Sequence, residues 1–439
     1  MRIERLAPFR RLVIDARMDE LEVMRSLPIR RWDKVADRWL VPMVEQNLAI
    51  LRGRGVDVDS WVEQARIQIP AHLDDSFALK SEPRQHQHNA LLAAKDQPYF
   101  GLFMDPGTGK SKILIDDAVA SHNRSEIDGV LLLCPNSIKG NWVDELSKHH
   151  GTKWTALEWE PGRDKRLDAF IELGPAAGLR WFIVGLESMS SASGLRAVEK
   201  WLNSGRRAFL VDESSRIKTH DVQRTKNIIE LSKASPRRRI ATGTPATQGP
   251  HNLWSQFEAL HPGILDLEYY PYRGFFCLMG GYKMKAIVGE KNKDVLLDLI
   301  SPYVFQARKA DCLNLPPKTH IRRVVEPTKE QARLYNDLLA TGSLETSQGM
   351  LTFDTALVRD LRLHQLTGGF VATQRTIQTL AEMLRSATDP GVLTEALSAA
   401  PQRSWYEAEP IPGPNPKIEE LKAILDEFPA DAKFVIWSR

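Results

Sequence analysis

Met104-Asp105-Pro106-Gly107-Thr108-Gly109-Lys110-Ser111 decides how this chain is read. An apolar run, Tyr99 to Met104, leads into it, and a helix-like segment, Ile113 to Ala120, leads out. Strand, glycine turn and helix in that order predict a phosphate-binding loop in a parallel α/β sheet. The glycines let backbone N–H groups turn inward around phosphate oxygens, and the helix N-terminus adds the positive end of its dipole. Gly107, Thr108 and Gly109 are therefore nucleotide-binding candidates. Lys110 can reach the β- and γ-phosphates and Ser111 can ligate Mg²⁺, so ATP and Mg²⁺ are the expected cofactors. Met104 stands where the usual pattern has its first glycine, so the strict pattern is not met. Gly-x-Gly-Lys-Ser alone also suits an ordinary glycine turn beside a surface lysine; the flanking strand and helix favour the nucleotide.

Four more short apolar runs follow: Gly129 to Cys134, Trp181 to Val184, Ala208 to Val211 and Arg239 to Ala241. Runs this short and hydrophobic on both faces suit buried parallel strands. The other half of a nucleotide site should be an acid at the end of one of them, and Phe209-Leu210-Val211-Asp212-Glu213 supplies two. Asp212 would hold Mg²⁺, directly or through water, while Glu213 would orient and deprotonate the attacking water. Taken alone, an Asp-Glu pair also reads as a solvated turn. The phosphate loop upstream reverses that preference.

Composition bounds the rest. The chain has 439 residues, with 59 Lys plus Arg against 56 Asp plus Glu, a formal net charge of +3. That length predicts two or three domains, each able to bury its own core. With 42% apolar and 26% charged residues, disorder and a collagen-like fibre are excluded. Cys134, Cys277 and Cys312 are far apart and odd in number, which leaves no disulfide framework and no Cys-x-x-Cys zinc site. A reducing compartment is the expected home: the cytoplasm, or the nucleoid, or the nucleus of a eukaryote. No apolar run approaches the ~18 residues of a membrane span, and Arg2, Glu4, Arg5, Arg10 and Arg11 precede no long apolar segment, so neither export nor a membrane partner is expected. Near-balanced charge does not decide for or against nucleic acid, because a basic groove can be offset elsewhere.

Pattern shifts divide the chain. Residues 1–75, with Trp32, Trp39 and Trp61, read as a small α+β module, and 76–265 as the α/β lobe. Residues 266–408 begin aromatic and Gly-rich and turn helix-like from Thr328 to Leu366. The segment 409–439 has prolines at 410, 412, 414 and 416, an extended connector, then a helix (Ile418 to Phe428) and an apolar run (Phe434 to Trp437). That reads as the opening of a second α/β unit. No internal repeat has a period of 20 to 50 residues.

The order of these motifs resembles a superfamily 2 helicase-type ATPase, in its Swi/Snf-like DNA translocase branch, over about residues 80 to 439. Arg84-Gln85-His86-Gln87 is similar to that family's adenine-reading segment, which assigns Arg84 and Gln87 to the nucleotide and the base edge to Gln87. Cys134-Pro135-Asn136-Ser137, with Asn141-Trp142 and Glu145, resembles motif Ia. By that likeness Ser137 and Lys139 would meet nucleic-acid phosphates without reading sequence. Asp212-Glu213-Ser214-Ser215-Arg216-Ile217-Lys218 resembles motif II, with Ser215 in place of the family's histidine, and Thr242-Gly243-Thr244-Pro245 matches motif III. The coupling residues would be Thr242, Gly243 and Thr244, relaying γ-phosphate state to the nucleic-acid groove. Ser215 would make, or weaken, the bond between motifs II and III. Leu315-Pro316-Pro317-Lys318 and Leu363-His364-Gln365-Leu366 look like landmarks between the family's two lobes. Arg237-Arg238-Arg239 is expected to be a solvated strand entry rather than a basic patch.

The implied fold is a RecA-like lobe, a helical insertion, the start of a second RecA-like lobe and a small N-terminal module. Arg30-Arg31-Trp32-Asp33 with Trp39-Leu40-Val41-Pro42 resembles the HARP module of annealing helicases. Its tryptophans could bracket a β-turn whose arginines face DNA, or could be core aromatics. No Gln-x-x-x-Arg-x-x-Arg segment of the family's motif VI occurs, and Lys433 to Arg439 resembles the strand before motif IV. The expectation is a fragment of a longer protein or a lobe completed by a second polypeptide. The implied function is a DNA-dependent ATPase moving on duplex or branched DNA. The alternatives are a strand-separating DNA or RNA helicase and an ATP-gated DNA-binding regulator with little hydrolysis.

Overall fold

The computed structural model describes residues 2–5, 10–15, 20–65, 69–284, 286–313, 321–346, 349–352, 355–376 and 404–428. It divides into two units, Met1–Pro316 and Pro317–Arg439. At the start of the first, β1 (Arg2–Arg5), β2 (Arg11–Asp15), β3 (Arg31–Asp33) and β4 (Arg38–Pro42) form an antiparallel sheet in the order β1-β2-β4-β3. Helices α1 (Leu21–Ser26), α2 (Glu45–Gly53) and α3 (Asp59–Gln64) accompany it. Leu12, Ile14, Met24, Val41, Leu48 and Leu51 make the module's own core. Trp32 and Trp39 are paired across the β3–β4 hairpin, edge to face at 5.0 Å. Trp39 packs against that core, whereas Trp32 is 39% exposed. So they do bracket a turn, and one of them is also a core aromatic.

The lobe is built on seven parallel strands. All five anticipated runs become strands: β5 (Tyr99–Met104), β6 (Gly129–Cys134), then β7 (Trp154–Glu158), which the sequence reading missed, β8 (Leu179–Gly185), β9 (Arg207–Asp212) and β10 (Arg237–Thr242). A hairpin, β11 (Cys277–Gly280) and β12 (Ala286–Glu290), precedes the seventh strand, β13 (Val304–Ala307). The order is β13-β5-β10-β9-β6-β8-β7. Because β13 completes this sheet, the lobe runs past 265, where the sequence had placed its end. Alternation explains the double-faced apolar runs. Leu131, Leu133, Phe182, Val184, Phe209 and Val211 enter one core, while Val130, Leu132, Trp181, Ile183, Ala208 and Leu210 enter the other.

Helices cover both faces: α4 (Gln85–Ala94), α5 (Lys110–Asn123), α6 (Lys139–His149), α7 (Asp164–Ile171), α8 (Ala192–Asn203), α9 (Gln223–Ser232) and α10 (His251–Leu260). Then come α11 (Tyr269–Phe276), α12 (Lys293–Ile300) and the short α13 (Lys309–Cys312). No described helix is long and apolar enough to cross a membrane.

Arg237, Arg238 and Arg239 correct the sequence reading: all three are buried inside β10. Arg237 Nη2 lies 2.7 Å and Arg239 Nε 3.0 Å from the two oxygens of Asp117 on α5. Burial alone would raise the Asp117 pKa, but the two guanidiniums outweigh it and hold it at about 2. A central strand can carry such charges only because a neighbouring element neutralises them.

In the second unit, Thr328 caps α14 (Lys329–Thr341): its hydroxyl accepts from Gln331 N at 3.2 Å, and Gln331 Oε1 accepts from Thr328 N at 3.0 Å. The helix-like stretch to Leu366 is in fact interrupted by a hairpin, β14 (Ser343–Thr346) and β15 (Gly349–Thr352), before α15 (Ala356–Thr367). Leu363 and Leu366 of the anticipated landmark pack with Leu334 and Leu338. The proline-rich connector is likewise corrected. β17 (Ser404–Pro410) pairs with β16 (Phe370–Thr376), and Pro416 opens a helix to Asp426, so the boundary drawn at 409 cuts a strand. Leu315–Lys318 and Lys433–Arg439 lie outside the described residues.

Candidate active site

Strand register gathers the anticipated residues. Phe103 of β5 is opposite Thr242 of β10, and Ala241 is opposite Asp212 of β9. The phosphate loop, Glu213 and Thr242–Thr244 therefore leave the C-terminal ends of three adjacent strands side by side. Within the loop, Gly109 has φ 88°, and a Cβ there would run into Gln87 Nε2, so only glycine fits. The Thr108 hydroxyl donates to Asp105 O at 2.7 Å. Lys110 Nζ donates to Met104 O at 2.9 Å. Methionine can stand in place of the first glycine because its side chain turns away into the core, where it is fully buried, while its carbonyl holds the lysine as any residue's would. Gly243 makes room for the loop in turn, since a Cβ on it would approach Pro106 Cδ to 2.8 Å.

The acids are held from two sides. Asp212 Oδ2 accepts from Trp142 Nε1 at 3.1 Å, and Oδ1 accepts from Glu213 N at 2.9 Å. Burial, then the charge of Glu213, pushes its pKa up to about 6. Glu213 adopts a left-handed backbone, φ 52°, rare for a residue with a side chain and concentrated at functional turns. Its Oε2 accepts from the Thr242 hydroxyl at 3.3 Å, and Thr242 Oγ1 accepts from Thr244 N at 3.2 Å. Ser214 Oγ donates to Gln256 Oε1 at 2.7 Å, and Gln256 Nε2 donates to Pro245 O at 2.7 Å. The link from the acids to the 242–245 segment is thus made by Glu213 directly and by Ser214 through Gln256, without Ser215.

The oxygen donors fit Mg²⁺. The Ser111 hydroxyl and the Asp212 carboxylate are hard ligands, and among the described residues no group of three His, Cys, Asp or Glu could enclose an ion. Such a pair suits an ion that takes its remaining ligands from phosphates and water.

At the base end, Arg84 lines a recess of about 690 Å³ with Gln85, His86, Asn89, Asp311, Cys312 and Leu313. Gln87 does not line it. Its Oε1 accepts from Arg84 N at 2.9 Å and its Nε2 donates to Thr108 O at 3.0 Å, so one end of the amide caps its own helix and the other holds the loop. His86 Nε2 lies 2.8 Å from the same carbonyl. Ser137 is exposed, whereas Lys139 Nζ donates to Trp159 O at 3.2 Å and is engaged within the lobe. Sequence reasoning missed His86, Gln256 and the Asp311–Leu313 wall, and gave Trp142 no role in the site. Trp142 and His86 did leave a signal, in the Asn141-Trp142 pair and the Arg84–Gln87 segment.

Comparison with known proteins closes the case. Residues 102–369 match the model of the SNF2-related domain. The chain is 25% identical over 240 residues to the DNA annealing helicase and endonuclease ZRANB3 of Mus musculus, covering 51% of this chain and 22% of that protein. It is 29% identical over 218 residues to YwqA of Bacillus subtilis (strain 168), covering 48% of this chain and 21% of that protein. It spans about a fifth of both relatives. The Sulfolobus solfataricus SWI2/SNF2 ATPase core in complex with dsDNA aligns with TM-score 0.44 and 21% identity, over 69% of this chain and 60% of that one. With the family model matched over more than half its length, the chain belongs to the SNF2-related domain family, within the Swi/Snf-like superfamily 2 ATPases.

Proposed function

We propose that this chain is a DNA-dependent ATPase that couples hydrolysis of Mg·ATP to movement along duplex or branched DNA, and that it remodels what it moves on. The observation that carries the reading is the Thr242–Glu213 bond beside the phosphate loop. It connects the group that would handle the attacking water to the segment that follows the next strand.

Lys110 and the backbone N–H groups of 107–111 bind and orient the triphosphate. Ser111 and Asp212 would hold Mg²⁺, which would supply charge neutralisation of the triphosphate. Glu213 takes the proton of a water whose oxygen attacks the γ-phosphorus in line, and ADP departs with the bond electrons. The hydroxyl of Thr242 holds the Glu213 carboxylate for that task. Arg84 and the recess it lines receive the base. DNA binds through its backbone, with Ser137 on the nucleic-acid side, so its affinity is independent of sequence and steeply dependent on salt. The N-terminal module, HARP-like in its Trp32–Trp39 hairpin, directs the motor to branched DNA.

A steady-state ATPase assay with and without duplex DNA tests this. Turnover that rises with DNA and disappears in Glu213→Gln supports the reading and excludes contamination. DNA-stimulated turnover untouched by Glu213→Gln would remove the site from the reaction. Unwinding of a duplex in the same samples would favour a strand-separating helicase.

A further inference from the structure

β13 runs parallel to β5, with Ala307 opposite Met104, and the chain leaves it over the phosphate loop. Two bonds clamp it there. Asp105 N donates to Ala307 O at 3.0 Å, and Asp105 Oδ2 accepts from Lys309 N at 2.8 Å. The Lys309 side chain continues toward the loop: a Cβ on Gly107 would stand 3.6 Å from its Nζ and 3.9 Å from its Cε. The side chain is half-buried, and among the described residues its ammonium has no hydrogen-bond or ion-pair partner. Lys110 differs, since it rises from the loop itself and is tied to Met104 O.

A half-buried ammonium without a partner loses hydration and gains nothing in exchange. The carboxylate beside it, Asp105, accepts from the Lys309 backbone N–H rather than from the ammonium, and the loop's own N–H groups are of the kind that turn toward one bound anion. A polyphosphate in the loop supplies the missing partner. We propose that Lys309 is a second phosphate-contacting lysine, delivered from the end of β13 to the Gly107 side of the loop, that recognises the β/γ-phosphates of a nucleoside triphosphate. This rests on the reading of residues 104–111 as a nucleotide site. It gives the edge strand β13 a function, since the strand's register sets where Lys309 stands.

Equilibrium titration of the full chain with fluorescent ATP and AMP analogues tests it, in wild type, Lys309→Ala, Lys309→Arg and Lys110→Ala. Loss of one charge-assisted contact at a partly exposed site is expected to weaken ATP binding about tenfold in Lys309→Ala. AMP, which lacks the β- and γ-phosphates, should bind Lys309→Ala as it binds wild type, and Lys309→Arg should recover most of the ATP affinity. Thermal melting should not move, because the clamp to Asp105 uses the backbone N–H of residue 309, which every variant keeps. Unchanged ATP affinity, or equal losses for ATP and AMP, overturns the proposal while leaving the nucleotide site standing. ATP affinity unaffected by Lys110→Ala overturns the nucleotide site, and this inference with it.

Discussion

Lys110 and Glu213 stand at opposite ends of one reaction coordinate, and their variants should fail in different ways. Lys110 emerges from the loop and is poised on Met104 O, where phosphate oxygens can compete for its remaining donors. It acts on bound substrate before any bond breaks. Glu213 acts on water, and its carboxylate is positioned by Thr242 rather than by the loop. Lys110→Ala is therefore expected to remove most ATP affinity. Glu213→Gln should leave affinity intact and lower hydrolysis by ~10² to 10⁴, the usual worth of a general base. Equal ATP affinity in wild type and Lys110→Ala, read by equilibrium titration, would sink the loop assignment. These two residues could be found from sequence because each is fixed by its immediate neighbours: a glycine turn before a helix, and a pair of acids after an apolar run. The second bond made by Gln87 could not be found that way. Its amide is used by Thr108, 21 residues away, and no local pattern announces that.

At the scale of elements, the contact between β10 and α5 makes the strongest stability claim. Asp117 is the shared partner of Arg237 and Arg239, and all three are buried. Asp117→Ala would leave the Arg239 guanidinium in the core without a carboxylate and Arg237 with Glu126 alone. Breaking a buried pair in this way costs about 3 to 5 kcal/mol, so the unfolding free energy from urea titration should fall by that amount and the midpoint with it. Acid should act on the same network. Asp117 is held at about 2, below its ordinary 3.8, so the stability it contributes is complete above 3.8 and is lost as pH falls toward 2. A variant with an unchanged midpoint would show that α5 and β10 are not joined by charge. The same network explains where sequence reading stopped. The buried strands β5, β6, β8, β9 and β10 were legible because helices cover both of their faces. β7 and β13 are edge strands with half-exposed residues, and β13 has only four, so neither leaves an apolar run. Arg237 and Arg239 looked solvated because the acid they share lies 120 residues or more away along the chain, and Arg238 because its guanidinium is taken up by backbone carbonyls, that of Leu260 among them. Lys309 was invisible for the same reason, since its position follows from how β13 pairs with β5.

Across the first unit, the N-terminal module is joined to the ATPase lobe at Asp266. Arg11 Nη1 of β2 lies 2.9 Å from Asp266 Oδ2, and Arg31 Nε of β3 lies 2.8 Å from Oδ1. Glu45 N donates to Asp298 Oδ2 at 2.8 Å, and Arg10 N to the Tyr303 hydroxyl at 3.2 Å, which ties the module to the segment after α10. Helix α10 meets both regions: Gln256 bonds Ser214 and Pro245 at the active site, and Glu258, two residues on, faces Asp266. Burial, then the charge of Asp266, pushes Glu258 up to about 7 from an ordinary 4.5, although Lys233, Arg11 and Arg31 pull the other way. The sign of the consequence follows directly. Between about 4.5 and about 7 the folded chain keeps a proton that the unfolded chain has released, so raising the pH through that window favours unfolding. Below it, Glu258 is neutral in both states. Above it, the folded chain carries two carboxylates at the junction. Glu258→Gln keeps the shape and removes the titration, so the variant should gain stability over wild type as pH rises across the window and match it at the acid end. Urea midpoints for both proteins at several pH values measure that difference. A difference that stays constant with pH would mean Glu258 ionises as freely in the folded chain as in the unfolded one, and that the junction with the N-terminal module does not bury it.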